Sequence, residues 1–265
     1  MTCRSLVIVD YSGTLSCAAA LFALPHRLEG ELRASGLAAR GVKDGASLFA
    51  RVVRPTWQEA TTTALGYGGA IVAALGGEDG DGEELRRAAG TFVGRYLAAS
   101  TIEEAWLPLL TEPARRPGLF LLVATDHYAE ATGAILGHLA ALGLAGAAVR
   151  DWGRKGGPPL AVANSADLGF PKESEGFWEA CRSFLPLGGV RRIVVVDDFG
   201  ANEAYADPRD VPRRRRAVGE AVGRVFGLRP EIVFFRLPSP PWEGDVVAGA
   251  VSASVAEVLG LLKGV

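Results

Sequence analysis

The stretch from residue 7 to residue 15 reads VIVDYSGTL and joins an apolar run to a polar turn. The apolar run extends from Leu6 to Val9, is rich in β-branched residues and ends at Asp10. Such a short, uninterrupted run is typical of a parallel strand buried on both faces. Gly13 permits a tight turn directly after it. The stretch therefore predicts a buried strand whose carboxyl end presents a carboxylate.

Apolar runs of the same kind recur later in the chain, at Leu119–Ala124, Arg192–Val196 and Glu231–Arg236. Two weaker candidates are Ala147–Arg150 and Leu160–Ala163. Segments with apolar residues at helical spacing lie between or after these runs, at 128–142, 174–184, 213–226 and 252–262. This alternation of strand and helix predicts an α/β fold with a doubly wound parallel sheet.

The stretch from residue 17 to residue 117 has a different pattern. It contains helix-like segments and no convincing buried strand, and Pro113 and Pro117 mark its exit. We therefore predict two domains. Residues 1–16 and 118–265 form an α/β core domain, and residues 17–117 form a helical domain inserted after the first strand.

The composition is that of a folded globular protein, with 49% hydrophobic and 22% charged residues in a chain of 265. A formal net charge of −2 disfavours a general nucleic-acid binder. The three cysteines lack metal-ligand spacing and indicate free thiols in a reducing cytoplasm. No apolar stretch approaches the ~20 residues of a membrane span. We expect a cytoplasmic protein with no nucleic-acid or membrane partner; the sequence leaves the oligomeric state open.

Polar residues follow three of the predicted strands, at the edge where open α/β sheets bind ligands. Asp10 follows the first strand, and Thr125 follows the second. For each of these two residues, capping of the next helix is an ordinary alternative to a functional role. The segment IVVVDDFGANE, residues 193–203, places two acids together at a third strand end. Adjacent carboxylates repel, so a cation is a natural way to keep both ionised, and such hard oxygen ligands suit Mg²⁺.

Lys172 lies at the start of a predicted helix, where a cation is unfavourable against the helix dipole. A lysine there can offset negative charge in a shared crevice. The commoner alternative is a solvated lysine.

The order Asp–Thr–Lys–Asp/Asp resembles the haloacid dehalogenase superfamily. DYSGTL matches its first motif, Thr125 the second, Lys172 the third and DDFGAN the fourth. The resemblance spans residues 6 to about 203, with the inserted helical stretch as the cap domain of that superfamily. It implies a Rossmann-like core and a Mg²⁺-dependent phosphohydrolase acting on a small phosphorylated metabolite.

The resemblance also implies the roles of individual residues. Asp10 would be the nucleophile that forms an aspartyl-phosphate, and Thr125 and Lys172 would position the phosphoryl group and the nucleophile. The metal ligands would include Asp10, the Ser12 carbonyl, Asp197 and Asp198, with Asn202 beside them. The residues expected around the substrate are Gly13, Thr14, Asp126, His127 and Glu59.

Ser12 departs from the phosphatase pattern of the superfamily, which has a second Asp two residues after the nucleophile to protonate the leaving group. A serine hydroxyl is no acid of useful pKa, and general acid–base help is typically worth ~10²–10⁴-fold. Hydrolysis would then be slow or limited to good leaving groups such as acyl phosphates. Otherwise another residue replaces the missing acid, with His127 and Glu59 as candidates.

Other activities remain open for the same reason. A catalytically weak binding or regulatory protein would retain Mg²⁺ and phosphate affinity without turnover. Phosphonatases of the superfamily also lack the second Asp and use a cap lysine, for which Lys43 is the only candidate in the inserted stretch. Dehalogenases of the superfamily lack the metal acids, so Asp197 and Asp198 count against that activity.

Two further segments carry alternatives. Trp57, in the segment 55–63, either faces the substrate or packs inside the cap. The run Arg213–Arg216 is expected to be a solvated, partly paired helix face because acids lie close to it in sequence.

Overall fold

The computed structural model describes residues 3–76, 82–155, 157–238, 242 and 244–264, and within these ranges it contains a six-stranded parallel sheet with order β3-β4-β2-β1-β5-β6. The strands are β1 Ser5–Val9, β2 Leu119–Thr125, β3 Ala147–Ala148, β4 Leu160–Asn164, β5 Arg192–Asp197 and β6 Glu231–Phe234. Each predicted run thus contains a strand, and the prediction of a doubly wound α/β fold is confirmed.

β1 lies inside the sheet, between β2 and β5, and its register positions the polar strand ends. Val9 is level with Val123 of β2 and with Val196 of β5. Asp10 and Asp197 are the next residues on neighbouring parallel strands. Parallel strands end at the same edge of a sheet, so the two carboxylates are delivered to one place.

The inserted stretch is helical, as the sequence predicts, and no strand lies among its described residues, 17–76 and 82–117. Its helices are α1 Cys17–Phe22, α2 Pro25–Ser35, α3 Gly45–Leu48, α4 Arg54–Ala60, α5 Gly66–Leu75 and α6 Gly82–Ala99. A π-helical turn, Phe49–Val53, joins α3 to α4. Buried apolar side chains of these helices form a core of their own, which Tyr128 of the α/β domain completes.

Two short helices, α7 Leu107–Leu110 and α8 Glu112–Arg115, lead from this cap back to the sheet. Further helices cover both faces of the sheet; in chain order the remaining ones are α9 Ala131–Ala141, α10 Val149–Lys155, α11 Ser165–Leu168, α12 Glu175–Phe184, α13 Val211–Phe226 and α14 Gly244–Leu261. Alternate residues of β1 serve the two faces. Val7 and Val9 pack with α9 and α14, whereas Leu6 and Ile8 pack with α12 and α13.

α14 begins eight residues before the predicted start at Ser252. Its 18 residues are long and apolar enough to cross a membrane by length and composition alone, which the sequence analysis did not anticipate. Four of its valines, Val247, Val251, Val255 and Val258, are buried in the core on one face of the sheet. Packing against the sheet accounts for the apolar character of that side of the helix. The cysteines Cys3, Cys17 and Cys181 are buried and unpaired, as predicted.

The segment that leaves the cap is fastened to the loop after β1. The Tyr11 hydroxyl donates to the Ser100 carbonyl, and the Glu103 N–H donates to the Leu15 carbonyl at 3.0 Å. The Trp106 indole N–H donates to the Thr14 carbonyl, also at 3.0 Å. These bonds set the position of the cap exit relative to the turn that carries Ser12 and Gly13.

We expect Trp106→Ala to lower the free energy of unfolding by about 3–5 kcal/mol, the usual cost of emptying a buried aromatic site. Trp106 is fully buried and packs on Phe235 with ring centroids 5.6 Å apart. Urea unfolding measures the change. Trp57→Ala is the control, because Trp57 is 39% exposed and its loss should cost less than about 1 kcal/mol. Equal losses in the two variants would contradict the anchoring role of Trp106.

Candidate active site

Three buried carboxylates meet at the carboxyl edge of the sheet. Asp10 follows β1, Asp197 ends β5 and Asp198 comes next; their exposed fractions are 6%, 4% and 1%. One oxygen from each lies within 4.8 Å of the others. The parallel register brings the first two together, and the turn after β5 adds the third.

Lys172 supplies a cation in direct contact with this cluster. Its Nζ donates to Asp10 Oδ1 at 2.5 Å and to Asp197 Oδ2 at 2.9 Å, and the side chain is buried. The backbone on either side is held as well: the Lys172 N–H donates to Asp126 Oδ1 at 2.8 Å, and its carbonyl accepts from the Trp178 indole at 2.8 Å. The alternative of a solvated lysine is therefore wrong.

The negative charge of the cluster exceeds what Lys172 neutralises, because three carboxylates gather around one ammonium. Burial raises the pKa of Asp10 to about 7, although the ammonium of Lys172 opposes the shift. Burial also raises the pKa of Asp198 well above its usual range, and the charges of Glu203 and Asp10 add to this. Burial alone would lower the pKa of Lys172, but the facing carboxylates outweigh it and the net shift is upward.

This charge imbalance and the donor set fit a divalent cation. Three carboxylates offer hard oxygen atoms within reach of one ion, and Mg²⁺ in proteins typically binds through one or two carboxylates with water and phosphate oxygens completing the shell. Asp10, Asp197 and Asp198 are the residues that would hold it.

The turn after β1 makes room for Asp198. Gly13 has φ +77°, in the left-handed region, and a Cβ there would lie 2.8 Å from Asp198 Oδ2. Thr14, which is fully buried, accepts the Asp198 N–H at 3.1 Å. Gly13 and Thr14 were predicted to contact substrate. Gly13 does line the cavity described below, whereas Thr14 is outside that lining and instead holds Asp198 in place.

Asn202 connects three loops and is not placed as a direct metal ligand. Its Nδ2 donates to the Gly13 carbonyl at 2.7 Å, and its Oδ1 accepts the Leu237 N–H at 2.9 Å. Its own N–H donates to Asp198 Oδ2 at 2.8 Å. Since both ends of the amide bind backbone, Asn202 holds the loop of Gly13 against the loop of Asp198.

Phe199 adds local strain at the same turn, because a non-glycine residue rarely adopts its φ of 51°. The Phe199 N–H donates to Asp197 Oδ1 at 2.6 Å. The unusual backbone thus provides a hydrogen bond to Asp197, whose other oxygen faces Lys172.

Tyr96, which the sequence analysis did not identify, reaches from α6 of the cap to Ser12. Its hydroxyl lies 3.5 Å from Ser12 Oγ and 3.0 Å from His127 Nε2. His127 Nδ1 accepts the Tyr128 N–H at 2.9 Å, so the hydrogen bond assigns the proton of a neutral imidazole to Nε2. The histidine therefore donates to Tyr96, whose own hydroxyl hydrogen is free to point toward Ser12.

A cavity of about 660 Å³ lies between the cap and the α/β domain. Ser12, Gly13, Asp126 and His127 line it on one side, and cap residues line it on the other. The carboxylates and Lys172 are outside this lining and lie directly behind Gly13, which abuts Asp198, and Asp126, which accepts the Lys172 N–H. Thr125 directly precedes Asp126, which lines the cavity. It is buried at the end of β2, level with Asn164 of β4.

Two predicted candidates lie away from this cavity. Glu59 is exposed on α4 and does not line it, so the structure gives no support for Glu59 as the missing acid. Lys43 is likewise exposed and outside the lining. A lysine that forms an imine needs a lowered pKa, which a desolvated pocket would provide and an exposed position does not.

Arg214 was not predicted as a site residue, because the run Arg213–Arg216 predicts a solvated helix face. Arg213 fits that prediction, with 59% of its side chain exposed and an ion pair to Glu173 at 2.6 Å. Arg214 does not: both arginines line the cavity, but the side chain of Arg214 is only 24% exposed. Burial would lower its pKa, but facing carboxylates, including Glu203 and Asp197, give a net upward shift. Helical position alone does not tell which arginine of a run turns inward.

Comparisons with known proteins identify the fold. No protein-family model matches the sequence, and no curated protein matches it. Among solved structures, the chain is similar to 2-haloacid dehalogenase from Pseudomonas syringae pv. Tomato DC3000, with 20% sequence identity and a TM-score of 0.53 over 98% of this chain and 99% of that chain. A second match is CbbY from Rhodobacter sphaeroides in complex with phosphate, with 19% identity and a TM-score of 0.40 over 86% of this chain and 85% of that chain.

The protein therefore has the fold of the haloacid dehalogenase superfamily. This confirms, at the level of the fold, the resemblance drawn from DYSGTL, Thr125, Lys172 and DDFGAN. At 20% sequence identity this similarity shows the fold and not the activity.

We expect His127→Gln to reduce the pH dependence of stability between about pH 4 and about pH 6.5. Burial lowers the pKa of His127 from 6.5 to about 4. In this window the unfolded chain binds the proton first, so His127 makes the native protein less stable as the pH falls, by roughly 2–3 kcal/mol between about pH 7 and about pH 4.5. The variant lacks this contribution.

Urea unfolding at a series of pH values measures the effect. The difference in free energy of unfolding between the wild type and His127→Gln should shrink on acidification. His26→Gln, at an exposed position, is the control and should show no such trend. A difference that stays constant with pH would show that His127 is protonated equally in both states.

Proposed function

We propose that this protein is a Mg²⁺-dependent phosphohydrolase that acts on a small phosphorylated metabolite, with Asp10 as the nucleophile. The observation that carries the proposal is the contact of Lys172 Nζ with both Asp10 and Asp197, at 2.5 and 2.9 Å, inside the buried carboxylate cluster. A carboxylate nucleophile beside a set of hard metal ligands is what phosphoryl transfer through an acyl phosphate requires.

In the proposed reaction an oxygen of Asp10 bonds to phosphorus while the ester P–O bond breaks and the leaving oxygen keeps the electron pair. Water then attacks the aspartyl-phosphate, which releases inorganic phosphate and restores the carboxylate. Lys172 favours the ionised form of Asp10, which burial alone would keep protonated. Thr125 is assigned to the phosphoryl oxygens, at the end of the strand beside β1.

Mg²⁺, when bound by Asp10, Asp197 and Asp198, would neutralise charge on the transferred phosphoryl group. Arg214 supplies further positive charge on the cavity side. Both effects lower the cost of bringing an anionic substrate to an anionic nucleophile.

The hydrogen-bonded residues Ser12, Tyr96 and His127 favour substrates with good leaving groups. Ser12 and Tyr96 are hydroxyl groups, and His127 presents an N–H that is already donated to Tyr96. With the Nδ1 lone pair of His127 engaged by the Tyr128 N–H, the trio holds a fixed orientation and contains no ordinary acid of pKa near neutrality. Acyl phosphates such as acetyl phosphate need no protonation of the leaving oxygen and are the substrates of choice for a first assay.

The alternative of a catalytically weak binding protein rests on the same serine, and turnover measurements separate the two. For the phosphonatase alternative, the exposed position of Lys43 removes the residue on which it depended. Dehalogenation remains disfavoured by Asp197 and Asp198, which supply metal ligands that carbon–halogen displacement by a carboxylate does not need.

We expect Asp10→Asn to abolish Mg²⁺-dependent hydrolysis of acetyl phosphate, by at least ~10³-fold in kcat, because the amide is not a nucleophile. Asp151→Asn, at an exposed aspartate on α10, is the matched control and should retain the wild-type rate. Phosphate release measures both. Turnover that survives in Asp10→Asn, or appears only with 2-chloropropionate as substrate, would contradict the proposal.

We expect Mg²⁺ to raise the Tm of the wild type by several degrees, since a ligand at ~100 times its Kd adds ~2.7 kcal/mol to stability. Asp198→Asn should lose most of this response, and without Mg²⁺ it should be more stable than the wild type, because a buried charge that faces two other carboxylates is removed. Thermal unfolding with Mg²⁺ and with EDTA measures both. An unchanged Mg²⁺ response in the variant would contradict the assigned ligands.

A further inference from the structure

The two sides of the cavity between cap and core have opposite chemical character. The core side carries Ser12 and charged side chains, which are Asp126, Glu173, Glu203, Asp207, Asp210, Arg213 and Arg214. The cap side is mainly apolar, although Arg54 and Thr61 also belong to it. Its aromatic and larger aliphatic members are Phe22, Leu28, Leu48, Phe49, Val53, Trp57, Tyr67, Phe92 and Tyr96.

The aromatic groups of this wall form a defined surface. Tyr67 of the cap stacks on Tyr128 of the α/β domain, with ring centroids 4.1 Å apart and an interplanar angle of 3°. Trp57 meets Tyr128 edge to face at 5.6 Å. Because Tyr128 directly follows His127 in the chain, the aromatic surface lies next to the polar residues of the core side.

Two features of this wall indicate a ligand. Trp57 lines the cavity and is 39% exposed, which makes it one of the few large apolar side chains that the described residues leave exposed. Tyr128, also in the lining, is buried, and its hydroxyl is the one buried side-chain polar atom that lacks a hydrogen-bond partner within the described ranges. A bound apolar group would cover the exposed part of the Trp57 ring, and one polar atom on that group would give the Tyr128 hydroxyl its missing partner.

We infer that the substrate is an amphiphilic phosphate compound whose non-phosphate part is an apolar, aromatic-sized group bound against the cap, with Trp57 as a specificity-determining residue. The inference rests on the proposed function, since the phosphate end is placed by the carboxylate and lysine cluster. A cavity of about 660 Å³ accommodates such a group, and ligand pockets of this size are mostly apolar with a few polar groups that fix orientation. A sugar phosphate would instead leave those of its hydroxyl groups that lie against Phe22, Leu48 and Phe49 without partners.

Competition by phosphonates tests the inference without any contribution from leaving-group chemistry. Benzylphosphonate and methylphosphonate carry the same charged end and differ in the apolar part. Against hydrolysis of acetyl phosphate, the Ki of benzylphosphonate should be at least ~10-fold lower, as burial of one aromatic ring predicts. Equal Ki values, or tighter binding of a sugar analogue such as glucose 1-methylenephosphonate, would overturn the inference.

Variants locate the preference on the cap. Trp57→Ala should raise the Ki of benzylphosphonate about fivefold and leave that of methylphosphonate unchanged, and Trp57→Phe should recover most of the loss. Phe170→Ala is the matched control, because Phe170 is 45% exposed and lies outside the cavity lining. A loss of equal size for both phosphonates in Trp57→Ala would overturn the assignment.

The outcome distinguishes this inference from the proposed function. If acetyl phosphate is not hydrolysed in an Asp10-dependent way, the proposed function fails, and the two phosphonates are then compared by the shift in Tm that each produces with Mg²⁺. If hydrolysis depends on Asp10 but benzylphosphonate has no advantage over methylphosphonate, the inference fails and the proposed function stands.

Discussion

The convergence of buried negative charge at one edge of the sheet is the constraint on which the rest of this structure depends. Asp10, Asp197 and Asp198 occupy one small volume with a single contacting ammonium, that of Lys172. Water cannot screen the repulsion, because the groups are buried. Burial is the main cause of the raised pKa values of Asp10 and Asp198, and the neighbouring carboxylates add to both shifts. A bound cation would favour the ionised forms of these groups.

The neighbouring loops hold these charges in place. Gly13 leaves the space that Asp198 occupies, Thr14 accepts its N–H, and Asn202 bridges the loops after β1 and β6. The left-handed backbone of Phe199 belongs to the same arrangement. The local strain and the burial of polar groups oppose folding, and the two apolar cores on either face of the sheet offset them. Several residues near Asp10 are thus explained by placement of the acids alone, without contact with substrate.

The cap determines what surrounds this charged centre. Tyr96 comes from α6 and reaches both Ser12 and His127, so the surroundings of the missing acid are shared between the two domains. The bonds from Tyr11 and Trp106 set the cap exit against the loop after β1. Charge on the core side and apolar surface on the cap side then give the cavity its two-sided character, which suits an amphiphilic ligand.

The sequence by itself determined the sheet, the helical insertion and the residues at the strand ends, because strand burial and helical periodicity are local patterns and parallel strands end at one edge. It therefore predicted that Asp10, Asp197 and Asp198 would meet, and the family resemblance added Lys172 to them. Only the tertiary structure decided that Tyr96 and Arg214 face the site, that Asn202 and Thr14 brace it, and that Glu59 and Lys43 lie away from it. Those outcomes depend on the angle at which cap helices and α13 pack against the sheet, and that angle results from many apolar contacts between segments distant in sequence.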